Sequence, residues 1–194
     1  MVAQLQRRRF TVEEYYRMAE VGILTPDERL ELLEGNIVRV IGNSSRHGAG
    51  VIRGNRLFSR SITDQALVSV RNPVRLDKYS EPEPDLALLR PRTDFYAAAH
   101  PEPEDVLLVI EVADTSLFTD RQTKVPLYAV AGIPEAWLAN LVERVLEVYR
   151  QPGRQGYQDV LRLRPSESVS PLAFPDLTIS VADLLGEPEP LEEP

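Results

Sequence analysis

Asp85, Glu111 and Lys124 are charged residues placed where the chain turns from polar to apolar. Asp85 follows Pro84 directly and opens the apolar run Leu86 to Leu89. Glu111 comes 26 residues later, straight after five consecutive apolar residues, Val106 to Ile110. Lys124 lies 13 residues further on, near the start of a helical pattern. Two carboxylates at neighbouring strand ends can share a divalent cation through oxygen ligands. Side chains alternate along a strand, so Glu111 and Ala113 share one face and Val112 takes the other, which makes the Val112 main-chain carbonyl a candidate third oxygen. A lysine beside such a cation can orient a water or offset charge on a phosphoryl oxygen. Together these parts suit metal-assisted hydrolysis of a phosphodiester. Each residue also has an ordinary explanation. Aspartate after proline satisfies donors in a turn, a glutamate at a sheet end pairs with arginine, and a helix lysine is solvated. Spacing alone does not choose between the two accounts.

The elements that must position these residues can be read from pattern. "FTVEEYYRMAEVG" has Thr11 as N-cap and Glu14 three residues on, a capping box before a short helix that Gly22 ends. "RLELLEGNIVRVIG" predicts two strands joined at Glu34-Gly35-Asn36. In "SSRHGAGVIRGNRLFSRSI", Val51, Ile52, Leu57, Phe58 and Ile62 recur at helical spacing, with Ser44 or Ser45 as cap. Arg46, Arg53, Arg56 and Arg60 give this helix a basic face, and Gly50 and Gly54 count against its stability. "ALVSVRN" and "VRLDKYS" are expected to pair around Pro73. "VLLVIEVA" predicts the most buried strand. "TDRQTKVPLYAVAG" predicts a helix in its second half, capped by Thr119 or Asp120 and closed by Gly132, with Pro126 kinking it or sitting in its first turn. "EAWLANLVERVLEVYR" predicts strand, turn, strand, and "YQDVLRLR" and "LTISVADLL" complete the domain. The fold class expected is α/β (α+β): a mixed β-sheet flanked by helices, as one domain over residues 1–185. Residues 186–194, "GEPEPLEEP", form an acidic Pro/Glu tail expected to be disordered.

Composition narrows the function. The 194 residues are 43% hydrophobic, enough for a sizeable core. No apolar run approaches the ~20 residues that cross a bilayer, and no secretory signal is seen. With no cysteine, disulfides and thiolate metal sites are excluded, which fits a cytoplasmic chain. The two histidines, His47 and His100, are too few for a histidine-rich zinc site. A net charge of −8 argues against a nucleic-acid coat protein. A nucleic-acid role must therefore rest on a local site helped by a divalent cation.

The segments "EPDLALLR", "VIEVADTS" and "TDRQTKVPLYAVAGIPEAWL" resemble the Uma-type restriction-endonuclease-like family, a branch of the PD-(D/E)XK nuclease superfamily. The resemblance runs from "TVEEYYRM" through "RLELLEGNIV" and "SSRHG" to "FPDLTISVADLL", and is densest over residues 107–140. It implies a restriction-endonuclease-like mixed sheet and a Mg²⁺ site, with Mn²⁺ as a substitute ion. Pro84-Asp85 matches the family's proline-aspartate pair and Glu111 its second acid. The superfamily's usual lysine position is Ala113 here; this family takes its lysine from the next helix, which maps onto Lys124. Glu31 matches a family glutamate, His47 a family histidine and Asp120 a recurrent acid. Two departures are Glu135-Ala136-Trp137, where the family often has Glu-Tyr-Trp, and Asn140, where it often has aspartate. They are expected to alter only a surface around Trp137, itself read as a core residue.

Two functions follow as expectations. One is a Mg²⁺-dependent nuclease cutting DNA, with a homodimer expected where both strands are cut. The other is a catalytically inactive interaction module that keeps the nuclease fold. The basic face from Arg46 to Arg60 is the expected phosphate contact, while Arg7-Arg8-Arg9 is read as a solvated terminus.

Overall fold

The computed structural model describes residues 7–25, 27–40 and 44–187. The acidic tail from residue 188 onward lies outside them. Helix α1 (Val12–Glu20) has the expected capping box: Thr11 Oγ1 accepts from the Glu14 amide at 3.2 Å, and Glu14 accepts from the Thr11 amide at 3.0 Å. Strands β1 (Leu30–Leu33) and β2 (Asn36–Arg39) form a hairpin whose two turn residues, Glu34 and Gly35, both have positive φ, +51° and +77°. That is the turn that matches strand twist.

Helix α2 (Ser45–Ser61) is capped by Ser44, whose Oγ accepts from the His47 amide at 3.0 Å. Its glycines serve close approach. A Cβ at Gly50 would lie 2.6 Å from Val112 Cγ1, and one at Gly54 would lie 2.5 Å from Leu86 Cδ1. The helix therefore rests directly on the sheet, which offsets the propensity cost of the two glycines.

Six strands form the main sheet in the order β3 (Leu67–Val70), β4 (Leu86–Leu89), β5 (Val106–Ala113), β6 (Glu135–Asn140), β7 (Val145–Arg150) and β8 (Asp159–Leu163). Only β5 and β6 run parallel. Between them the chain crosses over through α3 (Leu117–Thr119), a π-helical turn (Asp120–Lys124) and α4 (Val125–Ala131). Short strands β9 (Ser168–Val169) and β10 (Ile179–Ser180) pair, and α5 (Val181–Leu185) closes the described chain. One face of the sheet packs Phe58, Leu108, Ile110, Trp137 and Leu146 under α2 and α5. The other packs Val109, Tyr128, Ile133 and Leu138 under α4. Alternation along β5 thus sends Val112 towards α2 and Ala113 towards α4, as the pattern predicts.

Three expectations are corrected. "VRLDKYS" is not a strand beside "ALVSVRN". Its Val74 and Arg75 amides donate to the Pro82 and Pro101 carbonyls, and β3 pairs with β4 instead. The crossover helix begins at Leu117, so Thr119 and Asp120 lie inside it rather than capping it. Trp137 is fully buried against Phe58, and Asn140 and Glu135 are buried too, so these departures from the family pattern shape the interior rather than a surface. Pro126 sits in the first turn of α4.

Candidate active site

The sheet opens at the end of β4, and Asp85 fills the gap. On β5 the odd-numbered main-chain groups face β6, as the Leu141 amide bonding the Ala113 carbonyl shows. The even-numbered groups face β4, where Leu86 is the last partner, opposite Ile110. The Val112 amide therefore has no strand beside it and donates to Asp85 Oδ2 at 3.0 Å. The carbonyl of a strand residue points to the same side as its amide, so the Val112 oxygen also faces the opening. Reciprocally, the Asp85 amide lies 3.4 Å from Glu111 Oε2. The two carboxylates are neighbours across the β4–β5 fork.

Lys124 enters from the π-helical turn. Its Nζ lies 3.1 Å from Glu111 Oε1 and 3.2 Å from Glu31 Oε1, and it donates to the Glu83 carbonyl at 3.3 Å. Tyr128, one turn on, donates its hydroxyl to Glu111 Oε1 at 2.5 Å. From α2, His47 Nε2 meets Asp85 Oδ2 at 2.9 Å, while its buried Nδ1 has no hydrogen-bond partner among the described residues. Arg71, at the end of β3 with φ +51°, places Nε 3.4 Å from Asp85 Oδ1. Asp120 accepts from Ser116 Oγ at 2.5 Å. Apart from Tyr128, which lies behind Glu111, these groups line one cleft with about 50 Å³ of room, so Glu31, His47, Asp85, Glu111, Asp120 and Lys124, separated in sequence, come together in space.

Five carboxyl groups, from Glu31, Glu83, Asp85, Glu111 and Asp120, line this cleft with one buried ammonium. Their ionisation separates sharply. Burial pushes the Glu111 carboxyl up to about 8; Lys124 opposes the rise, and Asp120, Asp85 and Glu31 add to it. Burial likewise takes Asp120 to about 6, against the pull of Lys124 and the Ser116 hydroxyl. Burial works on Asp85 too, but bonds from His47 and the Val112 amide outweigh it and hold that carboxyl below its ordinary range. Lys124 is buried, yet the surrounding carboxylates hold it well above the usual lysine range, firmly as a cation.

Such a surplus of buried negative charge fits a cation. In each of the two central carboxylates, one oxygen is held by short contacts, Asp85 Oδ2 and Glu111 Oε1. The other, Asp85 Oδ1 and Glu111 Oε2, has a contact only at 3.4 Å. Among the described residues no three histidine or acidic side chains converge as a ready metal cage. The donors fit an ion held by two carboxylates with the balance made up by a main-chain carbonyl and water, the habit of Mg²⁺.

Arg71, Tyr128 and Glu83 were not singled out by sequence. Tyr128 carried a usable signal, standing four residues after Lys124 on one helix face. Arg71 carried none, since its place depends on a strand pairing that local pattern did not reveal.

Residues 12–182 match the Uma2 family, described as "Putative restriction endonuclease". No curated protein matches the chain. Among solved structures, a "putative nuclease belonging to DUF820" from Anabaena variabilis ATCC 29413 is similar in fold, with a TM-score of 0.68 and 16% identity. The match covers 91% of this chain and 97% of that one. Among the described residues no helix is long and apolar enough to cross a membrane.

The chain belongs to the Uma2 family.

Proposed function

We propose, from that membership and from the geometry of the cleft, that the protein is a Mg²⁺-dependent nuclease that hydrolyses phosphodiester bonds of DNA. The observation that carries this reading is the pairing of Asp85 and Glu111 across the β4–β5 fork with Lys124 against Glu111. Asp85 Oδ1, Glu111 Oε2 and the Val112 carbonyl would hold the ion. When bound, Mg²⁺ supplies charge neutralisation at phosphorus and lowers the pKa of water.

The chain's own residues supply the rest. Lys124, kept as a cation, is a donor and not a base; its ammonium would hydrogen-bond the attacking water or a phosphoryl oxygen and stabilise the charge that develops there. Tyr128 and Lys124 fix one oxygen of Glu111, which orients the other towards Asp85. His47 and the Val112 amide do the same for Asp85. Glu31 holds Lys124 from the far side. Arg71 and Arg29 line the cleft, where a guanidinium can grip phosphate oxygens. Cutting both strands in one encounter would call for two such sites, hence two copies of the chain.

The test is cleavage of supercoiled plasmid and short duplex DNA with Mg²⁺ or Mn²⁺, comparing wild type with Asp85→Asn and Lys124→Met. Metal-dependent cleavage lost in both variants is expected, and linear product would report paired cutting. One observation favours a second reading, an inactive binding module: Lys124 already bridges two carboxylates and needs no ion to do so. Equal background cleavage by all three proteins would select that module and retire the nuclease.

A further inference from the structure

A second cavity, with about 300 Å³ of room, lies on the other side of the first turn of α2. Arg46, Arg53 and Arg144 line it, with Ser45, Ala49 and Leu141. Main-chain carbonyls at the end of α5 hold two of the guanidiniums in place. Arg53 donates to the Leu185 carbonyl at 2.8 Å and the Leu184 carbonyl at 3.4 Å, and Arg144 donates to the Gly186 carbonyl at 2.8 Å. Gly186 has φ +77°, and a Cβ there would lie 2.4 Å from Arg53 Cζ, so the backbone is laid against that guanidinium. Neither Arg53 nor Arg144 meets a carboxylate among the described residues; the acid on the wall, Glu187, is exposed. Burial, with the like charge of Arg144, lowers the Arg53 pKa, the mark of a cationic site short of anions. The Arg53 and Arg144 guanidiniums have five N–H donors each and use two and one of them on these carbonyls, which leaves others to face a ligand; Arg46 is also engaged by Asp114 at 3.9 Å.

The cavity is placed beside the cleft. Arg46 and His47 are consecutive: His47 reaches Asp85, whereas Arg46 donates to the Leu141 carbonyl, just past β6. Both cavities thus sit where β5 and β6 end.

We propose that this cavity is a second phosphate subsite, gripping a backbone phosphodiester of the nucleic acid whose scissile bond lies in the Asp85–Glu111 cleft. The identity of the ligand rests on the nuclease reading; the charge and shape of the cavity do not. The test is fluorescence anisotropy of the full chain with an uncleaved DNA duplex in EDTA, over a series of salt concentrations. Arg144→Gln and Ala49→Glu should each weaken binding about fivefold to tenfold and reduce the slope of log affinity against log salt by about one. Melting temperatures should stay near wild type. Ala49→Glu removes no guanidinium and sets a carboxylate four residues before Arg53, so it decides the matter should Arg144→Gln fail to fold. Wild-type affinity and slope in a folded variant would overturn the subsite, as would a wild type with no salt-dependent duplex binding. A wild type that binds through this cavity yet cleaves nothing would retire the nuclease reading and leave the subsite standing.

Discussion

Glu111 on β5 and Glu147 on β7 are both buried, and each accepts a tyrosine hydroxyl at 2.5 Å, from Tyr128 and Tyr149. Their ionisation differs in sign. Burial raises both carboxyls, but at Glu147 the bonds from Arg121, Tyr149 and Asn140 prevail and hold it below its ordinary range. At Glu111 the Lys124 ammonium does not offset burial and the three acids nearby. Glu135 on β6 resembles Glu147: it accepts from Trp137 Nε1 at 2.9 Å, Arg150 Nε at 2.8 Å and the Leu172 amide at 2.7 Å. A glutamate that serves the fold is saturated with donors. One left short of them, among like charges, is prepared for something that arrives from outside.

The contrast can be broken most sharply at Lys124. Lys124→Met should lower turnover about 10²- to 10³-fold, the usual cost of a preorganised donor aimed at developing charge. Duplex binding in EDTA should change little, since phosphate contacts are spread over several arginines. Retained turnover would remove Lys124 from the chemistry.

Next come the two glutamates themselves. Glu147→Gln should cost about 1–3 kcal/mol in urea denaturation, because it strands a charge-assisted donor set. Glu111→Gln should leave the metal-free protein unchanged or more stable, since it removes one of several repelling acids. It should also abolish any Mg²⁺-induced rise in melting temperature. Equal destabilisation by both would mean that Glu111 is structural as well.

The same pair predicts opposite pH behaviour. The folded Glu111 carboxyl titrates near 8 against an ordinary value of 4.5, so within that window the folded state binds the extra proton. Stability of the metal-free protein should therefore fall as pH rises from about 4.5 to about 8. Asp120 adds the same sign between 3.8 and about 6. The raised Lys124 pKa contributes stability that is lost only above about 10.5, outside the window. Glu147, with its lowered pKa, contributes stability that is lost as pH falls through the acid range. Denaturation in EDTA across pH should show the downward slope in wild type and a flatter one in Glu111→Gln.

The smallest effect is expected at Arg71, which holds a left-handed backbone, φ +51°. Arg71→Gly should relieve up to about 1 kcal/mol of that strain while weakening cleavage by a modest factor. A variant that is more stable and equally active would show that its guanidinium has no part in substrate binding.

Much of the architecture was legible locally. The Thr11 capping box, the Glu34-Gly35 turn and the alternation of β5 are encoded within a few residues of where they act. Asp85, Glu111 and Lys124 were visible as charges at the borders of apolar runs. Their mutual contacts, and the place of Glu31 and His47 beside them, came only with the resemblance, because convergence is a property of the sheet. What could not be read depends on distant pairing. "VRLDKYS" alternates like a strand, but its amides are taken by carbonyls of Pro82 and Pro101. Arg53 was legible as part of a basic face expected to meet phosphate, but not its anchoring on the carbonyls of Leu184 and Leu185.

The π-helical turn has a consequence for how the chain tolerates change. Val125 reaches back five residues to the Asp120 carbonyl, so this stretch carries one residue more than an α-helix would use. With that surplus, Arg121 meets Glu147 on β7 while Lys124 meets Glu111 on β5, two strands away. Residues three apart on a regular helix would share nearly one face. Gln122 is exposed, and replacing its side chain disturbs neither partner. Deleting it would turn one cation relative to the other by about 100° and pull Arg121 or Lys124 away from its glutamate. At Gln122, chain length rather than residue identity is what this stretch must keep.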